Sequence, residues 1–227
     1  MTLDPGPTPP GCPDRRGVNR PRPHRRHPQP DAVPPPGSRR RTHLRRRALS
    51  DPGWLLPWVA VTAVVVLDTL ATSRPWPLLI AGLADEPAHL LTAWLILVAL
   101  PERVAPRSVW PWVLVASVAI DADHVPQYTW DPGFAVDGGR PPTHGLVTVL
   151  LLLAFGAARP CRTWALGLAG GVALHLLRDV ATGPGIPLLW PVVHAGVLVP
   201  YPLYLVVLIV AASVTSVRYR RRRTAGP

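Results

Sequence analysis

The stretch Ala173-Leu174-His175-Leu176-Leu177-Arg178-Asp179, followed by Thr182-Gly183-Pro184-Gly185-Ile186-Pro187-Leu188-Leu189-Trp190-Pro191, decides how this chain is read. His175 and Asp179 are four residues apart, so on a helix they share one face. They close an apolar run that begins near Thr163 and is long enough to enter a bilayer. Ionisable side chains are costly in that setting and mark a functional site by default. Taken alone, the pair suits a metal site, a proton relay or a satisfied polar contact. The choice depends on which partners the rest of the chain supplies.

The composition points to a membrane. Of 227 residues, 48% are hydrophobic and only 16% charged, yet the formal net charge is +11. An ordinary soluble domain does not combine these figures, and position explains them. Residues 1–53 hold twelve Arg against four acids, and residues 218–223 add five Arg. The stretch between them holds seven Arg against nine acids. The charge therefore sits on two tails around an apolar middle, the pattern of a membrane protein with basic ends. Cys12 and Cys161 lie in the first tail and a short loop, so neither a disulfide framework nor a cysteine metal site is implied.

Residues 1–53, rich in Pro and Arg, cannot bury enough apolar surface to offset ordering entropy and are predicted to be a disordered tail. The triplets Arg39-Arg40-Arg41 and Arg45-Arg46-Arg47 suit nucleic acid or anionic headgroups. Because they abut a hydrophobic segment, a positive-inside anchor is preferred over nucleic-acid binding. Residues 54–217 form the membrane domain, and 218–227 a second basic tail. Six hydrophobic segments are expected, at about 54–71, 76–100, 109–124, 144–158, 163–181 and 197–217. The predicted fold class is all-α, a polytopic transmembrane bundle of about six helices. Several segments are shorter than the roughly 20 residues of a full crossing, so partial burial or local thinning is expected.

The positive-inside rule then orients the bundle. With both tails cytoplasmic, Arg103, Arg107, Arg159 and Arg162 also fall on the cytoplasmic side. On the outer side, segment three ends in Asp121-Ala122-Asp123-His124, segment four starts at Thr143-His144, and segment five ends with His175, Arg178 and Asp179. Asp85-Glu86-Pro87 looks like the start of a fresh helix, with an acid near its cap, Pro in the first turn and His89 just after it. The histidines and acids of the core thus converge on one level. Asp68 stands alone and receives no role, Glu86 is read as a capping group, and His194 is expected to be exposed in a loop. His24, His27 and His43 belong to the tail, and the nine Trp suit an aromatic belt.

Histidine and carboxylate ligands together bind divalent metals such as Zn, Mn or Fe. The candidates are His89, Asp121, Asp123, His124, His144, His175 and Asp179, and such a cluster has room for one or two ions. Ions of this kind lower the pKa of a bound water and polarise a phosphoryl or carbonyl oxygen. Arg140 and Arg178 are candidates to neutralise an anionic substrate, since Arg is suited to bidentate phosphate contact.

These blocks resemble a known family. Pro87-Ala88-His89-Leu90-Leu91, Asp121-Ala122-Asp123-His124, Arg140-Pro141-Pro142-Thr143-His144-Gly145 and His175-Leu176-Leu177-Arg178-Asp179, with the downstream Ile186-Pro187-Leu188-Leu189-Trp190-Pro191, occur in the order of the YdjM-type family. Its members are inner-membrane-associated proteins regarded as metal-dependent hydrolases. The resemblance covers about residues 85–195 and implies the same seven as site residues, with Arg140 matching the motif's Arg; Asp123, Arg140 and Arg178 are the candidate catalytic residues. Gly139 stands where the family often has His, and Gly145 where Ser is usual.

The expected function is therefore a membrane-bound metal-dependent hydrolase acting on a phosphoester or lipid-like substrate, with membrane lipid as its surroundings. The alternative is a non-enzymatic membrane protein: a metal or proton transporter, or a structural bundle. A transporter should carry acids or histidines along a path through both halves of the membrane, whereas these gather on one side.

Overall fold

The computed structural model describes residues 52–130, 135–136, 140–157 and 161–224. The expectations for the basic N-terminal tail, with its histidines and Cys12, and for Gly139 lie outside the described residues. Within them the chain is helical, and the only β feature is a single antiparallel bridge between Ile186 and Val197. Six helices have ten or more residues: α1 (Leu56–Thr72), α2 (Leu78–Ala99), α3 (Trp110–Ala119), α5 (Leu146–Gly156), α6 (Arg162–Asp179) and α7 (Tyr201–Thr224). A short helix, α4 (His124–Thr129), follows α3 through the 3-10 turn Ile120–Asp123.

Local sequence explains where the helices begin. Pro57 and Pro111 occupy the first turns of α1 and α3, where a missing N–H costs nothing and the fixed φ suits a helix. One expectation fails here. Asp85-Glu86-Pro87 does not start a new helix, because α2 runs unbroken from Leu78 to Ala99 with Pro87 inside it. Glu86 is therefore no cap, and His89 lies near the middle of a 22-residue helix. A helix within a bundle tolerates such a proline because neighbouring groups satisfy the carbonyl it frees.

Helices α3 and α5 both pack on α6, and α1, α2 and α7 pack together. The α3–α6 contact depends on Gly167 and Gly171, four residues apart. A Cβ at Gly171 would lie 2.4 Å from the Val113 carbonyl oxygen and 2.6 Å from the Ala116 Cβ, and one at Gly167 would lie 2.5 Å from the Trp112 Cβ. This is the small-residue packing that lets membrane helices approach closely. Val64, Leu95, Tyr204 and Leu208 centre the α1–α2–α7 core, and the Thr92 and Tyr204 hydroxyls meet there at 2.5 Å.

Two helical stretches, Pro52–Thr72 and Tyr201–Arg223, are long and apolar enough to cross a membrane. The apolar α5 has only 11 residues, and α2 carries Asp85, Glu86 and His89. The outer surface is nonetheless strongly apolar: Leu150, Leu151 and Phe155 on α5, and Leu203, Val206 and Val210 on α7, are all more than half exposed. Asp68, Arg178 and Asp179 are buried while these large hydrophobics face outward, the reverse of the arrangement expected in water.

Candidate metal centre

Helix α6 supplies the first two groups. His175 and Asp179 are fully buried, with His175 Nε2 at 3.1 Å from Asp179 Oδ2. The close approach at Gly171 brings the Ser117 carbonyl of α3 to 3.0 Å from His175 Nδ1. A carbonyl oxygen only accepts, so Nδ1 carries the proton and donates it. Nε2 then points at two carboxylates, Asp179 and, at 3.4 Å, Asp121 Oδ1.

The 3-10 turn after α3 supplies the next groups. Residues three apart eclipse on such a turn, so Asp121 and His124 share a side. His124 Nδ1 lies 3.4 Å from Asp121 Oδ1 and 3.1 Å from Asp123 Oδ1. His144 enters from the residues leading into α5. Its Nε2 is 3.0 Å from Asp121 Oδ1 and 3.7 Å from Asp179 Oδ2, and its Nδ1 is 3.2 Å from Asp123 Oδ2. The Thr143 hydroxyl donates to Asp123. The Pro-Leu-Leu-Trp-Pro segment serves as the support for this histidine. The Leu146 N–H donates to the Leu188 carbonyl at 2.9 Å, and a Cβ at Gly145 would lie 3.0 Å from the Pro187 carbonyl oxygen. The residue beside His144 is thus small where that backbone passes.

His89 comes from α2 and stacks on His175, with ring centroids 3.8 Å apart and planes 6° from parallel. Its Nε2 accepts from Arg178 Nη1 at 2.8 Å and lies 3.4 Å from both Asp179 Oδ1 and Asp85 Oδ2. A guanidinium only donates, so His89 is neutral with its proton on Nδ1, an atom with no hydrogen-bond partner among the described residues.

Arg178 differs from expectation. Its guanidinium is buried and reaches Asp68 Oδ1 at 2.6 Å and Asp85 Oδ1 at 2.5 Å, besides His89. An arginine buried and held by two of its own protein's acids and a histidine is committed to the fold, with only its Nε unpartnered among the described residues. Arg140 is better placed, at the partly exposed edge of the cluster with Nη1 2.8 Å from Asp179 Oδ2.

The structure adds groups that the sequence reading left aside. Asp68, given no role, is buried and accepts from both Arg178 and the Tyr201 hydroxyl, the latter at 2.7 Å. Asp85 joins the same network. Glu86 lies beside Asp121, with Oε2 buried and without a hydrogen-bond partner among the described residues. The signal for Asp68 was available: an acid inside an apolar helix is expensive and calls for a partner. Nothing local pointed to the Ser117 carbonyl. His194 is exposed.

Ligand atoms fall within 4.8 Å of one another in three sets: Asp121, Asp123, His124 and His144; His89, His175 and Asp179; and Asp85, His89 and Asp121. Imidazole nitrogens with carboxylate oxygens suit Zn, Mn or Fe. Five carboxylates (Asp68, Asp85, Asp121, Asp123 and Asp179) outnumber the two guanidinium groups, so the cluster attracts cations. The donor set fits a divalent metal.

The fold and these contacts define a class: an all-helical membrane protein whose buried histidines and aspartates are arranged as possible metal ligands. Residues 85–226 match the YdjM inner membrane protein family, and the chain belongs to that family. No curated protein and no solved structure matches the chain. Helix α1, which contributes Asp68, lies before the matched residues.

Proposed function

We propose that this protein is a multi-pass inner-membrane hydrolase that uses divalent metal to cleave a phosphoester or lipid-like substrate. One observation carries the reading: His175 donates through Nδ1 to Ser117 and presents Nε2 to Asp121 and Asp179. A lone pair facing carboxylate oxygens at this range needs a positive charge between them, either a proton or a metal ion. Protonating every imidazole would crowd like charges into a small space, while His89 already accepts from Arg178. A shared divalent ion satisfies several donors at once, and a second-shell bond that fixes the imidazole tautomer is the usual companion of a metal-bound histidine.

The donor sets meet at Asp121, whose Oδ1 lies within 3.4 Å of nitrogens on His124, His144 and His175. The reading is therefore of two ions: Asp123, His124 and His144 would hold one and His175 and Asp179 the other, with Asp121 within reach of both, while His89, stacked on His175, would join the second only by giving up its bond from Arg178. When bound, such ions supply an acidified water and polarise the scissile group. Arg140 at the open edge orients an anionic substrate and offsets charge that develops on it. Glu86, with its unpartnered oxygen beside Asp121, is placed to accept and return a proton. Arg178 positions His89 rather than touching substrate.

A six-crossing topology with both termini cytoplasmic supports this placement. It puts the cluster toward the outer face and gathers Arg103, Arg107 and Arg162 inside. The transporter reading loses support from the same distribution, because the described ionisable core groups collect at one end of α6.

The test is metal analysis of detergent-purified wild type beside Asp121→Ala and His175→Ala, with phosphoester and lipid substrates assayed on the same samples. Stoichiometric metal in wild type, lost in both variants together with hydrolysis, is the expected result. Unchanged metal content in both variants would remove the ligand assignment. Metal without hydrolysis of any substrate would favour the transport reading.

A further inference from the structure

Helix α6 is 18 residues long, about 27 Å at 1.5 Å per residue, close to the thickness of a hydrocarbon core. The metal cluster occupies its Asp179 end. At the Arg162 end the structure contains a cavity of about 560 Å³ between the α2–α3 connection and α6. Its walls are apolar, with Leu97, Val113, Leu166 and Leu174 among them, and its polar lining includes Arg103, Arg162, Ser108 and Thr163. Arg103 and Arg162 are exposed, and neither has a carboxylate partner among the described residues. A second cavity on this end, of about 480 Å³, is lined by Arg107, Arg218 and Arg222.

We infer that the cavity at Arg103 and Arg162 binds an anionic phospholipid, the phosphate on the two guanidinium groups and one acyl chain along the apolar wall. The volume falls in the range of sites that enclose small ligands. In the proposed six-crossing topology, the cation pair falls at the level of the headgroups, at the end of a helix about as long as the hydrocarbon core is thick. An apolar groove alone would accept any lipid. Two unpaired arginines beside two hydroxyls select an anionic headgroup that also accepts hydrogen bonds, and basic pockets between membrane helices bind such headgroups. This site shares no residue with the metal cluster and does not depend on the hydrolase reading.

Full-length protein in neutral detergent is titrated with phosphatidylglycerol or phosphatidylcholine, and retained lipid is read by native mass spectrometry beside thermal melting. Phosphatidylglycerol should be retained and raise the melting temperature, and phosphatidylcholine should do neither. The pair Arg103→Gln and Arg162→Gln should weaken retention roughly thirtyfold, at about fivefold for each basic side chain near an anionic surface. A monodisperse elution profile and a cooperative thermal transition like those of wild type in lipid-free detergent would show that this variant is folded. If the pair fails to fold, Arg103→Gln alone, in an exposed turn, still reads the effect. Asp121→Ala should retain the lipid fully, which separates this site from the metal reading. Equal retention of both lipids, retention unaffected by the arginine changes, or displacement by glycerol 3-phosphate at matching concentration would overturn the inference.

Discussion

At the Asp179 end of α6, imidazoles, carboxylates and a guanidinium are packed together, with His89, His144, His175, Arg178 and Asp179 fully buried. At the Arg162 end, arginines stand exposed beside an open apolar cavity. The two ends belong to one helix, so helical propensity does not separate them. Their neighbours do. At the Asp179 end, α1, α2, the turn after α3 and the residues before α5 each direct a polar group inward, and both guanidinium groups find carboxylates. At the other end the neighbours contribute mainly leucine, valine and alanine, leaving the cations without internal partners. A buried charge needs company in a low-dielectric interior, whereas an arginine at an interface is satisfied by water or headgroups.

The comparison can be broken most severely at Asp121. Asp121→Ala should abolish metal retention and hydrolysis together, as read by elemental analysis and turnover, because the shared oxygen is lost from both donor groups. Arg140→Gln should lower kcat by about 100-fold to 1000-fold with metal content unchanged, the range seen when one group stabilising developing charge is removed. A parallel loss of metal would mean that Arg140 only holds Asp179.

Asp68→Asn probes the support from α1. It weakens the hold on Arg178, and through it His89, and should reduce metal affinity by about 10-fold to 100-fold, the usual cost of losing an outer-shell partner. A chelator competition measures this. A fall in melting temperature with affinity intact would make Asp68 a structural ion-pair partner and nothing more. Gly171→Ala should be milder in chemistry but visible in stability, costing about 1–3 kcal/mol by overpacking against Val113 and Ala116. Because it also shifts the Ser117 carbonyl, metal affinity should drop with it, while Gly170→Ala, whose Cβ would meet only Val113 Cγ2 at 3.5 Å, should leave both nearly unchanged. The smallest effect on the metal end is expected from Arg103→Gln with Arg162→Gln, which should leave metal content alone.

Much of the site was legible because its residues break an apolar background. His89, Asp121, Asp123, His124, His144, His175 and Asp179 stand out individually, and the structure brings all seven into one neighbourhood. The reading failed where local rules competed. Pro87 after two acids looks like a helix start, but tertiary packing carries α2 through it. Arg178 looked like an anion binder because its partners Asp68 and Asp85 lie 110 and 93 positions away in sequence. Glu86 looked like a cap for the same reason that Pro87 looked like a first turn.

Sequence by itself determined the class of molecule and the identity of the polar groups, since runs of apolar residues must form helices in lipid and ionisable groups within them require partners. Tertiary structure alone decided which partner each group has. The Ser117 carbonyl sets the His175 tautomer only because Gly167 and Gly171 let α3 approach, and Asp68 matters only because α1, packed on α2 and α7, holds it within reach of the Arg178 side chain. Spacing along one helix is written in the chain, but the distance between two helices is set by the side chains of both.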